Sequence, residues 1–193
     1  MSCDVEILEE NGFYSLKNCD FEAKVDFNGR LNYLKLLNDT TLIDNAYENI
    51  NGKDIGYQYA TARSTTIRFE SELEHLAIEK IIGFDKHKIT LDVYIISKKE
   101  TEIDFSIAFG VRRFFDYFML KNEKFYIENF SEKDTDDLLF VNENQNLYFG
   151  CVFKENMKLS IDENQQNILF KLNLKNRLFE KDFFMISFTC SLV

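Results

Sequence analysis

Apolar and polar residues alternate along most of this chain, which is the pattern of β-strands with one buried face. Between positions 21 and 27, Phe21, Ala23, Val25 and Phe27 occupy every second position and charged residues fill the gaps. Successive side chains of a strand point to opposite faces, so the four apolar residues lie on one face and the charges on the other. This segment is therefore predicted to be a strand with its apolar face in a core.

A tight turn follows this strand directly. Asn28 and Gly29 both tolerate the positive φ angles that two-residue hairpin turns require, so the next strand should fold back antiparallel. That strand is predicted to span Arg30 to Leu37. A polar turn at 38–41 then leads into another short strand that begins at Leu42-Ile43.

The same alternation recurs at roughly even spacing to the end of the chain. Further runs are found at 64–73, 89–95, 103–111, 147–153, 168–174 and 184–192. Long helical patterns between the strands are missing, and a parallel α/β fold would need them. We therefore predict an all-β fold, an antiparallel two-sheet β-sandwich with little helix, in which residues 1–193 form a single domain.

Four segments do not alternate clearly. Residues 44–61 show no sustained period and are predicted to be a long loop, and residues 131–137 are predicted to be a charged loop. Residues 71–82 fit a helical face as well as a strand, and the neighbouring strands favour strand. The aromatic-rich segment 112–121 is predicted to contain one helical turn.

The charge of the chain limits the partners it can have. The sequence holds 193 residues, with 23 basic against 33 acidic side chains and a net charge of −10. Such an acidic protein repels phosphate backbones, which argues against nucleic acids and anionic membrane surfaces as partners. The first ten residues are acidic and lack a leader pattern, and no run is long enough for a membrane helix, so we expect a cytoplasmic protein.

The spacing of the cysteines and the absence of known catalytic motifs limit the kinds of metal, redox and hydrolytic chemistry that we expect. The spacing of Cys3, Cys19, Cys151 and Cys190 contains no C-x-x-C pair, so we expect free thiols in a reducing compartment. Phosphate-binding loops and the signatures of serine and zinc hydrolases are absent, which predicts no cofactor and no metal. The acidic residues near position 134 are oxygen donors of the kind that calcium prefers, but their spacing favours a solvated loop.

Two groups of side chains are candidates for binding a ligand. The first is Tyr57, Tyr59 and Arg63, because aromatic faces stack on the C–H face of a sugar and arginine donates paired hydrogen bonds to hydroxyls. The alternative is that these tyrosines pack the predicted loop onto the sheet.

The second group follows the end of a predicted strand. It consists of Arg112, Arg113, Asp116 and Tyr117, and two adjacent arginines beside aromatic residues are unusual in so acidic a protein. They could line a ligand cleft or a face between domains. The alternative is that the arginines neutralise nearby carboxylates.

The order of features between Gly12 and Asp44 matches a known family pattern. The stretch reads GFYSLKNCDFEAKVDFNGRLNYLKLLNDTTLID. A short strand ends at Lys17-Asn18, and an alternating strand, a turn at Gly29, an L-x-x-L strand and a polar turn follow. This order resembles the opening of the galactose-mutarotase-like β-supersandwich domains. Such domains form the aldose 1-epimerases and accessory domains of several glycoside hydrolase families.

The resemblance implies a role with carbohydrates. The mutarotase reaction uses a histidine acid and a carboxylate base, but neither His75 nor His87 lies in the sequence context that the epimerases show. We therefore name no catalytic residue and expect a non-catalytic carbohydrate-binding or accessory domain, which could associate with a larger carbohydrate-active enzyme. An aldose 1-epimerase-like sugar mutarotase and a protein-interaction domain without a small ligand are the alternatives.

Overall fold

The computed structural model describes residues 4–163 and 168–192, and nearly all of them lie in β-strands. The one helical segment among them is a 3₁₀ turn, Ile127–Asn129. The strands are β1 (Glu6–Glu10), β2 (Phe13–Lys17), β3 (Phe21–Asp26), β4 (Leu31–Leu36), β5 (Thr41–Ile50), β6 (Lys53–Asp54), β7 (Tyr59–Arg63), β8 (Thr66–Leu73), β9 (Leu76–Asp85), β10 (Lys88–Ser97), β11 (Thr101–Val111), β12 (Tyr117–Leu120), β13 (Glu123–Phe125), β14 (Lys133–Asn142), β15 (Leu147–Glu163), β16 (Ile168–Leu178) and β17 (Phe183–Leu192).

The strands form two layers that face each other across the core. The first layer runs in the order β7-β8-β9-β10-β17-β15-β14-β12-β13. The second runs β1-β2-β3-β4-β5-β11-β16-β15-β14, and β6 pairs with the end of β5. Every one of these pairings is antiparallel. The prediction of an all-β antiparallel sandwich is confirmed.

Two long strands belong to both layers. Residues 149–153 of β15 pair with β17 in the first layer, whereas residues 158–163 of the same strand pair with β16 in the second. The neighbouring strand β14 follows β15 on both sides of a register shift between Thr135 and Asp137. The two layers are therefore joined by continuous backbone as well as by side-chain packing.

The predicted antiparallel hairpin is confirmed, but its loop spans residues 27–30 rather than two residues, and Phe27 lies exposed in this loop instead of in the core. Strand β3 pairs with β4, and Gly29 between them has a φ of 80°. A Cβ at this glycine would lie 2.5 Å from Cδ2 of Tyr57, so the position needs glycine for space as well as for backbone angle. The turn is thus fixed by a residue far along the chain.

The predicted long loop at 44–61 is wrong. Strand β5 continues to Ile50, a turn at Asn51 and Gly52 follows with φ of 52° and 74°, and β7 begins at Tyr59. The strand pattern is hidden because Glu48 occupies an inward position between Ala46 and Ile50. A carboxylate at a core position breaks the apolar period that sequence reading relies on.

Two shorter predictions are also corrected. The segment predicted as a charged loop at 131–137 instead begins β14 at Lys133, where Thr135 is buried while the charged residues on either side of it are exposed. The predicted helical turn is not in 112–121, which contains β12; the 3₁₀ turn comes later, at Ile127–Asn129. Residues 71–82 are strand, as favoured, with Glu74 at a φ of 56° in the turn between β8 and β9.

Phenylalanine rings fill much of the space between the layers. Phe109 stacks on Phe170 at 5.8 Å between ring centroids, and Phe140 meets the same ring edge-on at 5.0 Å. All three are buried. Buried aromatic pairs of this kind add about 0.5–1.5 kcal/mol each beyond the burial of their surface.

A buried asparagine links the turns at one end of the two layers. Asn18 lies between β2 and β3, and its Nδ2 donates a hydrogen bond to the carbonyl of Asp85 at 2.8 Å. Its Oδ1 accepts a hydrogen bond from the backbone N–H of Phe21 at 2.7 Å. One side chain therefore satisfies backbone groups in both layers.

The cysteines differ from the expectation at one position. Cys151 and Cys190 are buried free thiols that face each other across β15 and β17, with their sulfur atoms 3.5 Å apart. Cys19, in contrast, is disulfide-bonded, so the expectation of a free thiol is wrong there. Cys3 lies outside the described residues.

Candidate functional site

A wide cleft lies on the outer face of the first layer. Its volume is about 710 Å³, and its walls come from β7, β8, β9, β10 and β17 together with Gln58, which precedes β7. The outer face carries mainly the side chains that alternate with the buried ones, and two buried residues, Ser71 and Ile78, also line the cleft. Pockets of this size are typical of small-molecule sites.

Strand register places four residues in one row across the cleft. Tyr59 of β7 is opposite Glu70 of β8, Glu70 is opposite Glu79 of β9, and Glu79 is opposite Tyr94 of β10. All four line the cleft. Two tyrosines therefore flank a pair of carboxylates along a straight line of backbone partners.

Arg68 holds the two carboxylates together. Its Nε lies 3.0 Å from Oε1 of Glu70 and 2.7 Å from Oε1 of Glu79. Like charges directly opposite each other on adjacent strands are unfavourable, and the guanidinium between them compensates for this. The middle of the cleft is thus a polar cluster of one donor group and two acceptor groups, all accessible to solvent.

One end of the cleft is aromatic. The rings of Tyr94 and Phe183 lie 5.5 Å apart with 31° between their planes, and Ile96 is the backbone partner of Phe183. Phe183 is 58% exposed, so its ring is accessible to a ligand. Burial, followed by the charges of Asp92 and Glu79, raises the pKa of Tyr94, so its hydroxyl is uncharged and can donate a hydrogen bond at neutral pH.

The first predicted group of ligand residues is divided by the fold. Tyr59 is 69% exposed and forms the β7 wall of the cleft. Arg63 lines an adjoining depression together with Arg68 and Glu79. Tyr57 instead lies in the core, where its ring packs on Phe69 at 5.7 Å, and its hydroxyl has no hydrogen-bond partner among the described residues.

The second predicted group lies elsewhere. Arg113 forms an ion pair with Glu163, and together with Asp116 it lines a separate cavity of about 170 Å³. Arg112 and Tyr117 border a small crevice beside them, and Tyr117 packs against Lys124, whose Nζ lies 3.6 Å from the ring centroid. The ion pair agrees with the alternative interpretation that these arginines neutralise nearby carboxylates.

Solved structures with the same arrangement of strands include galactose mutarotase-like proteins. A galactose mutarotase related enzyme from Lactobacillus acidophilus superposes with a TM-score of 0.74 at 7% identity, over 94% of this chain and 97% of that one. A galactose mutarotase-like protein from Lactobacillus casei gives 0.69 at 9% identity, over 94% and 100%. The chain has the galactose mutarotase-like fold. At these identities the likeness shows the fold alone.

A larger enzyme contains a domain with this galactose mutarotase-like fold. The 4-alpha-glucanotransferase from Thermococcus litoralis superposes with a TM-score of 0.67 at 8% identity, and the match covers 100% of this chain but 40% of the enzyme. No protein-family model and no curated protein matches the sequence. The fold is therefore recognised through its strand arrangement rather than through its residues.

The two histidines of this mutarotase-like chain occupy turns at the ends of strands. His75 lies between β8 and β9, and its Nε2 is buried without a hydrogen-bond partner among the described residues. His87 lies between β9 and β10, is exposed, and has its Nδ1 2.8 Å from a carboxylate oxygen of Asp20. Neither belongs to the residues that line the cleft.

Within residues 4–163 and 168–192, no group of three or more histidine, cysteine, aspartate or glutamate side chains is arranged to hold a metal ion. In the same part of the chain, no helix has the length and apolar character needed to cross a membrane. The polar and aromatic groups that line the cleft are tyrosine and phenylalanine rings, carboxylates and one guanidinium.

Sequence reasoning missed the main cleft residues, namely Arg68, Glu70, Glu79, Tyr94 and Phe183. Their outward orientation follows from the alternation in β8, β9, β10 and β17, which the sequence does show. What the sequence lacks is the register that brings Glu70, Glu79 and Tyr94 into one row. That register depends on the positions of the turns between β7, β8, β9 and β10, which the sequence pattern does not define to the residue.

Proposed function

We propose that the protein binds a saccharide in the cleft on the outer face of the first layer and does not convert it chemically. The observation that carries this proposal is the combination of the exposed rings of Tyr59 and Phe183 and the half-buried ring of Tyr94 with the Arg68–Glu70–Glu79 cluster. Aromatic faces pack on the C–H faces of pyranose rings, and carboxylate and guanidinium groups form strong hydrogen bonds with hydroxyls.

The polar cluster favours binding over catalysis. A glycosidase-like pair needs one carboxylic acid to donate a proton while its partner stays ionised. Here Arg68 forms ion pairs with both Glu70 and Glu79, so the two carboxylates share the same guanidinium. The pair therefore lacks the different surroundings that set an acid apart from a base.

A role beside a larger carbohydrate-active enzyme is part of the proposal. Its support is the glucanotransferase structure, in which a region of the same fold makes up 40% of a longer chain. A domain that holds part of a saccharide raises the local concentration of that saccharide near a neighbouring active site.

The second candidate function is an aldose 1-epimerase-like reaction, which the fold favours. Following the optical rotation of freshly dissolved glucose and galactose with the protein present separates the two proposals. Binding without catalysis predicts the buffer rate. A faster rate that is lost in the His75→Ala or His87→Ala variant would support the epimerase and contradict a purely binding role.

The binding proposal is tested by titrating ¹⁵N-labelled protein with neutral mono- and oligosaccharides and following its backbone amide signals. We expect shifts confined to β7–β10 and β17. Arg68→Met should weaken binding at least about tenfold, equivalent to about 1.4 kcal/mol. Arg113→Met is the matched control, because Arg113 is also an exposed arginine paired with a carboxylate but lies outside the cleft.

Two outcomes would overturn the proposal. One is the absence of any saccharide-dependent shift at millimolar concentration in a protein shown to be folded, which would favour an interaction domain without a small ligand. The other is loss of binding in Arg113→Met and not in Arg68→Met, which would move the site to the cavity beside Asp116.

A further inference from the structure

The cleft has aromatic residues at both ends of a row rather than at one place. Tyr59 and Tyr94 are the outer members of the row Tyr59–Glu70–Glu79–Tyr94, in which each residue is the direct backbone partner of the next. Two strands therefore separate the tyrosines. Any ligand that touches both rings has to cross β8 and β9.

The separation of the two tyrosines can be estimated from strand geometry. Neighbouring strands lie about 4.8 Å apart, so three steps across the sheet place the backbones of Tyr59 and Tyr94 about 14 Å apart. A single pyranose ring is too short to lie on both aromatic faces. A chain of at least three linked rings has the necessary length.

The residues between the tyrosines suit an inner sugar ring. Glu70 and Glu79 lie in the middle of the row, and Arg68 contacts both, so hydroxyls above them meet acceptors and a donor. Beyond Tyr94 the apolar surface continues through Phe183, whose ring packs against Tyr94. The surface along the row is therefore aromatic at both ends and polar in the middle.

The charge of the lining indicates which sugars are excluded. Three carboxylates, those of Glu70, Glu72 and Glu79, line the cleft with one guanidinium, that of Arg68, and Glu72 also pairs with Lys98 at 3.1 Å, so the carboxylates still outnumber the cations. An excess of negative charge repels uronic acids and sugars with sulfate or phosphate groups. The lining therefore favours neutral saccharides.

We infer that the cleft takes a neutral linear oligosaccharide that runs across the strands, with one ring on Tyr59, another at Tyr94 and an inner ring over the Glu70–Glu79 pair. This inference rests on the proposed function, because it assumes that the cleft holds a saccharide. Beyond the proposed function, the inference specifies how long the saccharide is, that it runs across the strands, and that it is uncharged. Tyr59 and Tyr94 act as two separate subsites.

The experiment compares the affinity of the full chain for glucose and for linear gluco-oligosaccharides of two, three and four units, in the α-1,4- and β-1,4-linked series. We expect affinity for at least one series to rise about tenfold or more from glucose to the trimer, equivalent to about 1.4 kcal/mol or more, and then to level off. Replacing the trimer by an oligouronide of the same length should abolish binding.

Variants assign the two subsites. Tyr59→Ala and Tyr94→Ala should each reduce the affinity for the trimer severalfold, and in the double variant the trimer should bind no more tightly than glucose. Tyr59→Phe and Tyr94→Phe retain the ring and should retain most of the affinity. Tyr126→Ala, which removes a half-exposed tyrosine outside the cleft, is the matched control and should leave trimer binding unchanged.

The outcomes separate the failure of this inference from that of the proposed function. If glucose binds as tightly as every oligomer and Arg68→Met weakens it, the cleft holds a saccharide but the two-subsite inference is overturned. If the oligouronide binds as tightly as the neutral trimer, the inference that the cleft takes neutral saccharides is overturned. If no saccharide of any length binds, both proposals fail.

Discussion

Lys80 and Glu48 form an ion pair inside the core, with 2.6 Å between Nζ of the lysine and Oε1 of the glutamate. Lys80 belongs to the first layer and Glu48 to the second, and both side chains are almost fully shielded from water. The same ammonium group donates a hydrogen bond to the carbonyl of Gly29 at 2.6 Å. A charged contact therefore connects the two layers where apolar packing would be expected.

Removing one partner of this pair should destabilise the fold strongly. Lys80→Met leaves the carboxylate of Glu48 buried without its counter-ion, and such changes cost about 3–5 kcal/mol. In the double variant Lys80→Met/Glu48→Leu no charge is left unpaired, so most of this loss should be recovered. Urea denaturation of the three proteins checks both expectations, and a double variant less stable than the single one would contradict them.

The carboxyl group of Glu48 should also make the free energy of unfolding depend on pH. Burial raises the pKa of Glu48 above its ordinary value of 4.5, although Lys80 opposes this rise. The folded chain then holds this proton more tightly than the unfolded chain, so the contribution of Glu48 to the free energy of unfolding falls as the pH rises from 4.5 through the folded-state pKa. Above that value the contribution is constant.

The measurement is the difference in unfolding free energy between the wild type and Glu48→Gln across this pH range. We expect the difference to decrease as the pH increases, because only the wild type has the titrating group. A difference that increases with pH would show that the pKa of Glu48 is lowered, and that pairing with Lys80 outweighs burial.

Gly29 should tolerate alanine much less well than Gly12. Both glycines have positive φ, 80° and 86°, but a Cβ at Gly29 meets the ring of Tyr57 at 2.5 Å whereas nothing lies within 4 Å at Gly12. Gly12→Ala should cost about 1 kcal/mol for the backbone conformation alone, and Gly29→Ala should cost about 1–3 kcal/mol more for the overpacking. Thermal denaturation of both variants tests this, and equal losses would contradict it.

Arg68→Met should leave the fold intact. The ion pairs of Arg68 lie in solvent, with its side chain 53% exposed, so their loss should change stability by less than about 1 kcal/mol. Repulsion between Glu70 and Glu79 should then appear as a stability that rises with added salt, more than in the wild type. A large loss of stability in this variant would mean that its binding data cannot be interpreted as the loss of a ligand contact.

The thiols of Cys151 and Cys190 should be inert in the folded protein. Burial, followed by the neighbouring thiol of Cys151, raises the pKa of Cys190 well above its ordinary range, so the reactive thiolate is rare. Alkylation followed by peptide mass mapping should label both residues only after denaturant is added. Rapid labelling of either one under native conditions would show that β15 and β17 separate at this point.

The sequence predicts the layers of this fold better than its site. Alternation of residues such as Ile89, Leu91 and Val93 marks strands regardless of what they pair with, because burial of one face imposes period two on any sheet. The strand around Glu48 was missed because the partner that makes its burial tolerable, Lys80, lies 32 residues away. The residues next to Glu48 in the sequence do not indicate such a contact.

The cleft was harder to predict for the same reason. Tyr59 was named from its chemistry, and it does line the cleft, but Tyr57 carries the same chemistry and lies in the core. Which of two nearby tyrosines faces outward depends on where β7 begins. The row that joins Tyr59 to Tyr94 depends in turn on three strand registers, and each of these follows from a turn rather than from the residues in the row.

Strands β14 and β15 pass from one layer into the other, and this has a consequence for how the molecule responds to a ligand. Opening of β15 breaks backbone hydrogen bonds in both layers, because this strand pairs with β17 in the first and with β16 in the second. A sugar chain bound on the outer side of the first layer should therefore slow amide exchange in the second, on β16 and β11, although no atom of the sugar comes near them.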